Sequence, residues 1–491
     1  MTASDVAFLL AIAAALLYAA SQSPLTSRYL SWSKTHIAQP VTQEKAYTPW
    51  PAPEAEPSFD VGKAVEPKFR PFRWGDFRLS MGIKPLDPLK WLELHTSYPS
   101  YARLRAARHE TYGSRCVQTL PRPDDGNKFA ALEVARAIAA YLAARYPSLF
   151  EVEPAGSERA QDDGWSVRRV RRKAMPSYGL AEKTWTLNDL YEGGDDPMRV
   201  AGELVPDDLA ILKEEDLTED ERRGYPCGIE KAPKRAHRLV AGSICTAGFW
   251  RLDDKIGLCL REIHTRGKVP HFDEKLLNPL DRFFSKLTPG KPVERIDNFF
   301  FQIIRDSQKG AIEQMADGSL VPDILNPDAG LHESISGQRG GEGPREVLDA
   351  TQLSWNWTIN GPETTFDQVT KGPKEGSGVK PESQAAENPG CVVMRAERQT
   401  LRRMPRSGAI LFTIRTYLTP VEQMANEPGV PGRLAHAMRA WPAEVARSKG
   451  GDLYLPVVLP YLDAKHQSQL ESGVIKDEET EMQRSRTSFP M

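Results

Sequence analysis

The stretch Arg395–Leu418, RAERQTLRRMPRSGAILFTIRTYL, decides the fold class. In its second half Ile410, Phe412 and Ile414 fall on one side of an extended chain, while Leu411, Thr413, Arg415 and Tyr417 fall on the other. This period-two alternation predicts a buried strand. Around it stand Arg395, Arg398, Arg402, Arg403, Arg406 and Arg415. Guanidinium groups beside a buried strand receive carboxylates or phosphates through paired hydrogen bonds. Ion pairs with Glu397 and other acids of the same chain are the alternative, and charge counting leaves both open.

Working outward, Arg295–Arg305 (RIDNFFFQIIR) and His237–Trp250 (HRLVAGSICTAGFW) are also strand-like. Helix signals lie between and beyond them. Asn127 is placed to cap a helix whose Leu132, Ala135, Ile138 and Leu142 share one face before Pro147 ends it. Asn278–Pro279 opens LDRFFSKL, and Val421–Ser448 reads as a helical region followed by LYLPVVLPYL. From about 306 to 390 the chain turns rich in Gly, Pro, Glu, Ser and Asp, which predicts a loose insertion. The expected body is therefore mixed α/β over residues 71–465, with a polar tail over 466–491.

The N-terminus differs in kind. Val6–Ala20 is apolar apart from Tyr18 and carries no charge, and Asp5 precedes it. About fifteen helical residues cover roughly 22 Å, short for a plasma membrane but close to tolerable in a thinner, ER-like bilayer. A cleaved signal peptide has similar length but normally opens with Lys or Arg. A single transmembrane helix within 1–24 is expected, with Arg28 and Lys34 after it placing the body in the cytosol, most naturally at the endoplasmic reticulum. Residues 25–70, with Pro40, Pro49, Pro51, Pro53, Pro57 and Pro67, read as an extended tether. Glycosylation of the sequon Asn356–Trp357–Thr358 would instead place the body in the lumen.

Composition narrows the chemistry. A net charge of −2 over 491 residues argues against nucleic acid held by bulk charge. The basic run Arg168–Lys173 reads as a solvated strand edge rather than the sharper alternative of a nuclear signal or nucleic-acid patch, with docking of an acidic electron-transfer partner as a further use. Five widely spaced cysteines form no CxxC pattern, which argues against a disulfide framework or an iron–sulfur site. No phosphate-binding glycine loop, dinucleotide fingerprint or nucleophile elbow occurs. Two histidines, His264 and His271, sit within Trp250–Phe272. Neutral imidazole ligates haem iron or zinc. Their spacing of seven, with Pro270 between, does not suit a shared zinc ion. A hydrogen-bonded structural His264 and a surface His271 are the plain alternative.

Three blocks together carry a family resemblance: MGIKPLDPLKWLELHTSYPSYARLR from Met81, GFWRLDDKIGLCLREIH from Gly248, and the opening stretch from Arg395. They resemble the successive signature blocks of the haem-dependent oxidative N-demethylase family, with the look of its fungal, membrane-anchored branch. The resemblance covers roughly 79–305 and 391–463. It implies a PAS-like α/β (α+β) fold, with helices packed on a mainly antiparallel sheet and gripping haem b, and oxidation of a small or secondary amine with O₂. The N-methyl group would leave as formaldehyde when the carbinolamine collapses. It implies His264 as the axial iron ligand, with His271 and then His237 as alternatives, and Glu397 and Arg398 as polar groups near haem or substrate. Arg402, Arg406 and Tyr417 would make propionate or pocket contacts. Lacking flavin and iron–sulfur signatures, the chain would need a separate reductase. His95 stands where an acid is expected after WLEL, and the insertion and anchor lie outside the family core. A non-catalytic PAS-like haem sensor or interaction module is the alternative implied by the same fold.

Overall fold

The computed structural model describes residues 51–77, 81–153, 165–189, 192–304 and 385–476, with short pieces at 312–314, 320–322, 354–356, 360, 363, 366–367 and 372–373. The expected anchor, the first half of the tether and the tail beyond Lys476 lie outside the described residues. Among the described residues no helix is long and apolar enough to cross a membrane.

The strands are β1 (Lys84–Pro85), β2 (Val117–Thr119), β3 (Phe150–Glu153), β4 (Arg169–Arg172), β5 (Lys183–Thr186), β6 (Asp208–Asp216), β7 (Arg235–Ser243) and β8 (Val293–Ile303). They continue with β9 (Ile312–Gln314), β10 (Leu320–Pro322), β11 (Phe366–Asp367), β12 (Gly372–Pro373), β13 (Val392–Arg403) and β14 (Ile410–Pro420). Helices of seven residues or more are α1 (Tyr98–Tyr112), α2 (Gly126–Arg145), α3 (Pro197–Leu204), α4 (Leu260–Arg266), α5 (Leu277–Lys286), α6 (Val430–Arg439) and α7 (Leu455–Glu471). Seven strands form one sheet in the order β1-β8-β13-β14-β6-β7-β2, and every neighbouring pair is antiparallel. The expected architecture of helices on a mainly antiparallel sheet is what the chain adopts.

Register assigns the faces. Residues directly opposite in an antiparallel pair project to the same side. Ala396 pairs with Tyr417, Arg398 with Arg415, Thr400 with Thr413 and Arg402 with Leu411, so these share a first face. Arg395, Glu397, Gln399 and Leu401 share the second face with Ile410, Phe412, Ile414 and Thr416. The alternation read from β14 holds.

The first face is filled. One half packs against α1, α2 and α3 through Tyr98, Ile138, Leu204, Ile211 and Leu411. The other half packs against α6 and α7 through Phe301, Met394, Ala396, Leu434 and Leu462. Helix α2 is alanine-rich and buried on nearly every side, because it lies between the main sheet and the small sheet β3-β4-β5. It begins one residue before Asn127. Asp124 Oδ1 accepts the Gly126 N–H at 3.0 Å, leaving Asn127 Nδ2 to donate to the Leu120 carbonyl at 3.1 Å.

The second face is only partly filled. Helices α4 and α5 and the loop 244–259 cover it through Leu260, Phe284, Leu252 and Ile263. Along β8, Arg295, Asn298 and Phe300 are half-buried while Glu294, Ile296, Phe299 and Phe301 are buried. Phe412 is half-buried in the middle of the sheet, beside Trp250 and Ile263. A central-strand phenylalanine open on one side leaves a partly uncovered strip on this face, the candidate cleft.

The tether differs from expectation in its second half. Its prolines keep residues 51–70 without long helix or strand, yet Val61, Glu66 and Arg70 are buried on the body. Arg70 Nε and Nη2 donate to the two Glu427 carboxylate oxygens at 2.9 and 2.6 Å, a bidentate pair that fixes the chain there.

Candidate functional site

The cleft on the second face owes its polar groups to an irregularity in pairing. Glu397 faces Asn298, but Gln399 faces Arg295, so three steps on β8 match two on β13. This bulge keeps Arg295 and Asn298 on one face although they are three positions apart, an odd spacing. Asn298 Nδ2 and Gln399 Nε2 each donate to Glu397 Oε2 at 2.7 Å. Burial pushes the Glu397 carboxyl above its ordinary range, while the two amides, Arg395 and Arg295 pull it down. Arg395 is buried beneath Gly248, with Nη1 donating to Gln302 Oε1 at 3.0 Å and Nη2 to the Thr246 carbonyl.

His264 lies on α4, one of the helices that cover this face. Its Nδ1 lies 2.6 Å from the Leu260 carbonyl, one turn back, and its ring stacks on Phe272 at 4.3 Å and 3°. Desolvation pushes its pKa down to about 4, so the ring is neutral near pH 7. A carbonyl can only accept, so Nδ1 carries the proton and Nε2 the lone pair. Nε2 has no protein partner among the described residues. The neighbouring Ile263 packs beside Phe412, so α4 lies over the face that also carries Glu397. A neutral, oriented imidazole with an open Nε2 fits a haem iron.

The other sequence-derived site residues fall elsewhere. Glu397 and Arg398 are neighbours in sequence and point to opposite faces. Arg398 binds Glu294 Oε2 through Nε at 3.0 Å on the first face. Tyr417 is there too, its ring 4.7 Å from Phe69 and 6.1 Å from His95, its hydroxyl without a protein partner among the described residues. Between them Arg415 lies over Tyr101 at 4.4 Å and donates to Glu66 and Ser97 at 2.7 and 2.8 Å. His95 is held neutral, its pKa pushed down to about 3 by burial and then by Arg415 and Arg398.

Arg402 stacks over Trp91 at 4.6 Å on that same face, and Arg406 over Trp165 at 5.1 Å beyond the strand end. Neither stands beside His264. His271 is an exposed ring between Glu274 and Glu444 at 3.1 and 2.8 Å. His237 is buried against Phe284, its pKa pushed down to about 4. The basic run forms β4, the middle strand of its small sheet rather than an edge, and its Arg171 and Lys173 pair with Glu151.

Three cleft groups escaped sequence reading. Gln399 sits two residues from Glu397, so strand alternation alone could have found it. Asn298 needed the register across the bulge. Asn356 comes from the supposed loose insertion: its N–H donates to the Gly248 carbonyl at 2.7 Å, and the neighbouring Trp355 carbonyl accepts from Gln302 at 3.2 Å. Its carboxamide is fully buried with no protein partner among the described residues, and no local sequence signal marks it.

A family model described as haem-dependent oxidative N-demethylase, alpha subunit-like, matches residues 82–323 and 350–459. Those ranges span most of the chain and contain Trp250, His264, Asn298, Asn356, Glu397 and Gln399, the residues that line or support the cleft. With that match covering sheet and cleft alike, the chain belongs to the haem-dependent oxidative N-demethylase alpha subunit-like family.

Proposed function

We propose that the protein carries out mono-oxygenase-type oxidative N-demethylation of a small or secondary amine, releasing formaldehyde, with haem b in the second-face cleft and His264 as its axial ligand. The observation that carries this reading is the neutral His264 ring, Nδ1 tied to a carbonyl and Nε2 open, on the helix that covers the Glu397 face. The five long strands lie in the order 2-1-5-4-3 by chain position, which supports a PAS-like core. Haem bound there would supply O₂ activation and one-electron chemistry, with electrons from an external reductase.

The chain's own groups do the rest. Trp250, Ile263 and Phe412 pack into an apolar patch on this face that would limit water around the reacting carbon. Glu397 Oε1 has no protein partner among the described residues and can take the hydroxyl proton of the carbinolamine and return it to nitrogen as the C–N bond breaks. Arg398, Tyr417, Arg402 and Arg406 support the sheet from outside the cleft in this reading.

The proposal also puts Val6–Ala20 in the endoplasmic reticulum membrane and the body in the cytosol beside its reductase, supported by Arg28 and Lys34 after the apolar run. Asn356 is buried in the fold, which makes its sequon a poor reporter of orientation. Protease protection of a C-terminal tag in microsomes is the better test, and a protected tag overturns the cytosolic placement. For the activity, full-length protein supplied with haem should show a Soret band that His264→Ala abolishes or shifts. Formaldehyde should appear with dimethylamine as probe and a surrogate reductase. No Soret band sinks the reading; an unchanged spectrum in the variant moves the ligand elsewhere.

A further inference from the structure

Glu397 has one oxygen fixed and the other open. Oε2 accepts two amide hydrogens at 2.7 Å, while Oε1 has no protein partner among the described residues. We propose that Asn298 and Gln399 are positioning residues that clamp Oε2 from two strands, so that Oε1 is presented to the cleft as the acid–base atom. This rests on the amine oxidation proposed above, and it adds what makes that carboxyl usable.

The clamp is built on rigid elements. Asn298 is directly opposite Glu397 on β8, and Gln399 is two residues along β13 on the same face. The bulge between the two pairing positions brings the donors together at one oxygen. A carboxylate only accepts, so both amides must turn their NH₂ groups toward it. Gln399 is thereby oriented by Glu397: its own Oε1 is buried with no protein partner among the described residues. An amide that leaves its oxygen unsatisfied in order to donate to a carboxylate is poorly explained by packing alone.

The charged groups facing Glu397 are Arg395 on its own strand and Arg295 on β8; His264 on the covering helix is neutral. Burial favours the protonated acid and the two amides favour the carboxylate. The clamp therefore sets the balance between holding and releasing a proton. Without it the acid would keep its proton and rotate.

The test is infrared difference spectroscopy of the carboxyl C=O band against pH in the full-length protein, with Glu397→Gln to identify the band. Asn298→Leu and Gln399→Leu should each move its midpoint upward by about one pH unit, the loss of one charge-assisted hydrogen bond. Asn298→Asp, nearly isosteric and chosen in case the leucine variants fail to fold, should also raise it by placing two acids at one proton site. With dimethylamine as probe, the acid limb of the kcat profile should shift with the band while KM stays near its starting value. If Glu397→Gln keeps the band, or if the band is lost there but the clamp variants leave the midpoint in place, the proposal is overturned. The infrared readout does not require haem, so a missing Soret band would sink the function without deciding the clamp.

Discussion

At the scale of single residues, the interior holds more charge than a core of this size needs, and nearly all of it is paired. Arg105 and Asp208 are fully buried and meet at 2.7 Å. Asp208 also accepts the backbone N–H groups of Cys245 and Thr246 at 2.7 and 2.9 Å, and Arg105 reaches Ser243 Oγ at 2.8 Å. Ser243 in turn contacts His109 Nε2 at 2.9 Å. The serine is enclosed and already bonded to an arginine, so this line is structural. Asp208→Ala leaves a buried guanidinium uncompensated and should lower stability by about 3–5 kcal/mol in urea unfolding. His237 makes a pH prediction. Its pKa falls from 6.5 to about 4 on folding, so its neutral form is stable above pH 6.5 and loses ground as pH falls toward 4. At pH 5 only the unfolded state is charged, which removes about 2 kcal/mol. Asp207, pushed up to about 6, acts in the opposite sense and is common to both proteins in the comparison. His237→Leu should therefore gain Tm relative to the parent between pH 8 and pH 5; an equal difference at both pH values would refute the account.

At the scale of elements, the site depends on two local departures from regular geometry. One is the β8–β13 bulge. The other is Gly248, whose φ of +78° and missing side chain let Arg395 lie against it. A Cβ there would stand 2.9 Å from guanidinium atoms already held by Gln302 and Thr246. Gly248→Ala should cost about 1–3 kcal/mol from backbone strain, with the Arg395 displacement in addition. Urea unfolding measures it. Ordinary elements behave ordinarily. Asp196 caps α3 by accepting the Arg199 N–H at 2.8 Å, and Asp196→Ala should cost about 1 kcal/mol by the same measurement.

At the scale of the whole molecule, segments distant in sequence close the cleft and its surroundings. Glu363 binds Arg108 of α1 at 2.6 Å, and its carbonyl accepts from Arg251 at 3.0 Å. Arg108 is buried, so Glu363→Ala should destabilise the body by about 3 kcal/mol and raise its susceptibility to protease. The family match resumes at residue 350, so this part of the supposed insertion belongs to the matched sequence. Low hydrophobic content made the stretch read as loose. Its described residues are instead tied down by scattered contacts, among them Glu363 with Arg108 and Arg251 and Asn356 with Gly248, which leave no periodic trace.

What the sequence by itself determined is the local order and the kinship. Alternation in Ile410–Tyr417 established a strand with opposed faces, the apolar run from Leu132 to Leu142 established a helix, and three blocks established the family. Only the tertiary structure decided which face matters. Period-two alternation says that Glu397 and Arg398 point apart; it says nothing of which side is filled. That depends on what covers each side: α1, α2, α3, α6 and α7 fill the first face, while α4, α5 and a loop leave the second partly open. The same packing separated His264 and Glu397 from Arg398, Arg402 and Tyr417. It also brought Asn298 to Glu397 across a bulge whose register exists only when the strands are paired.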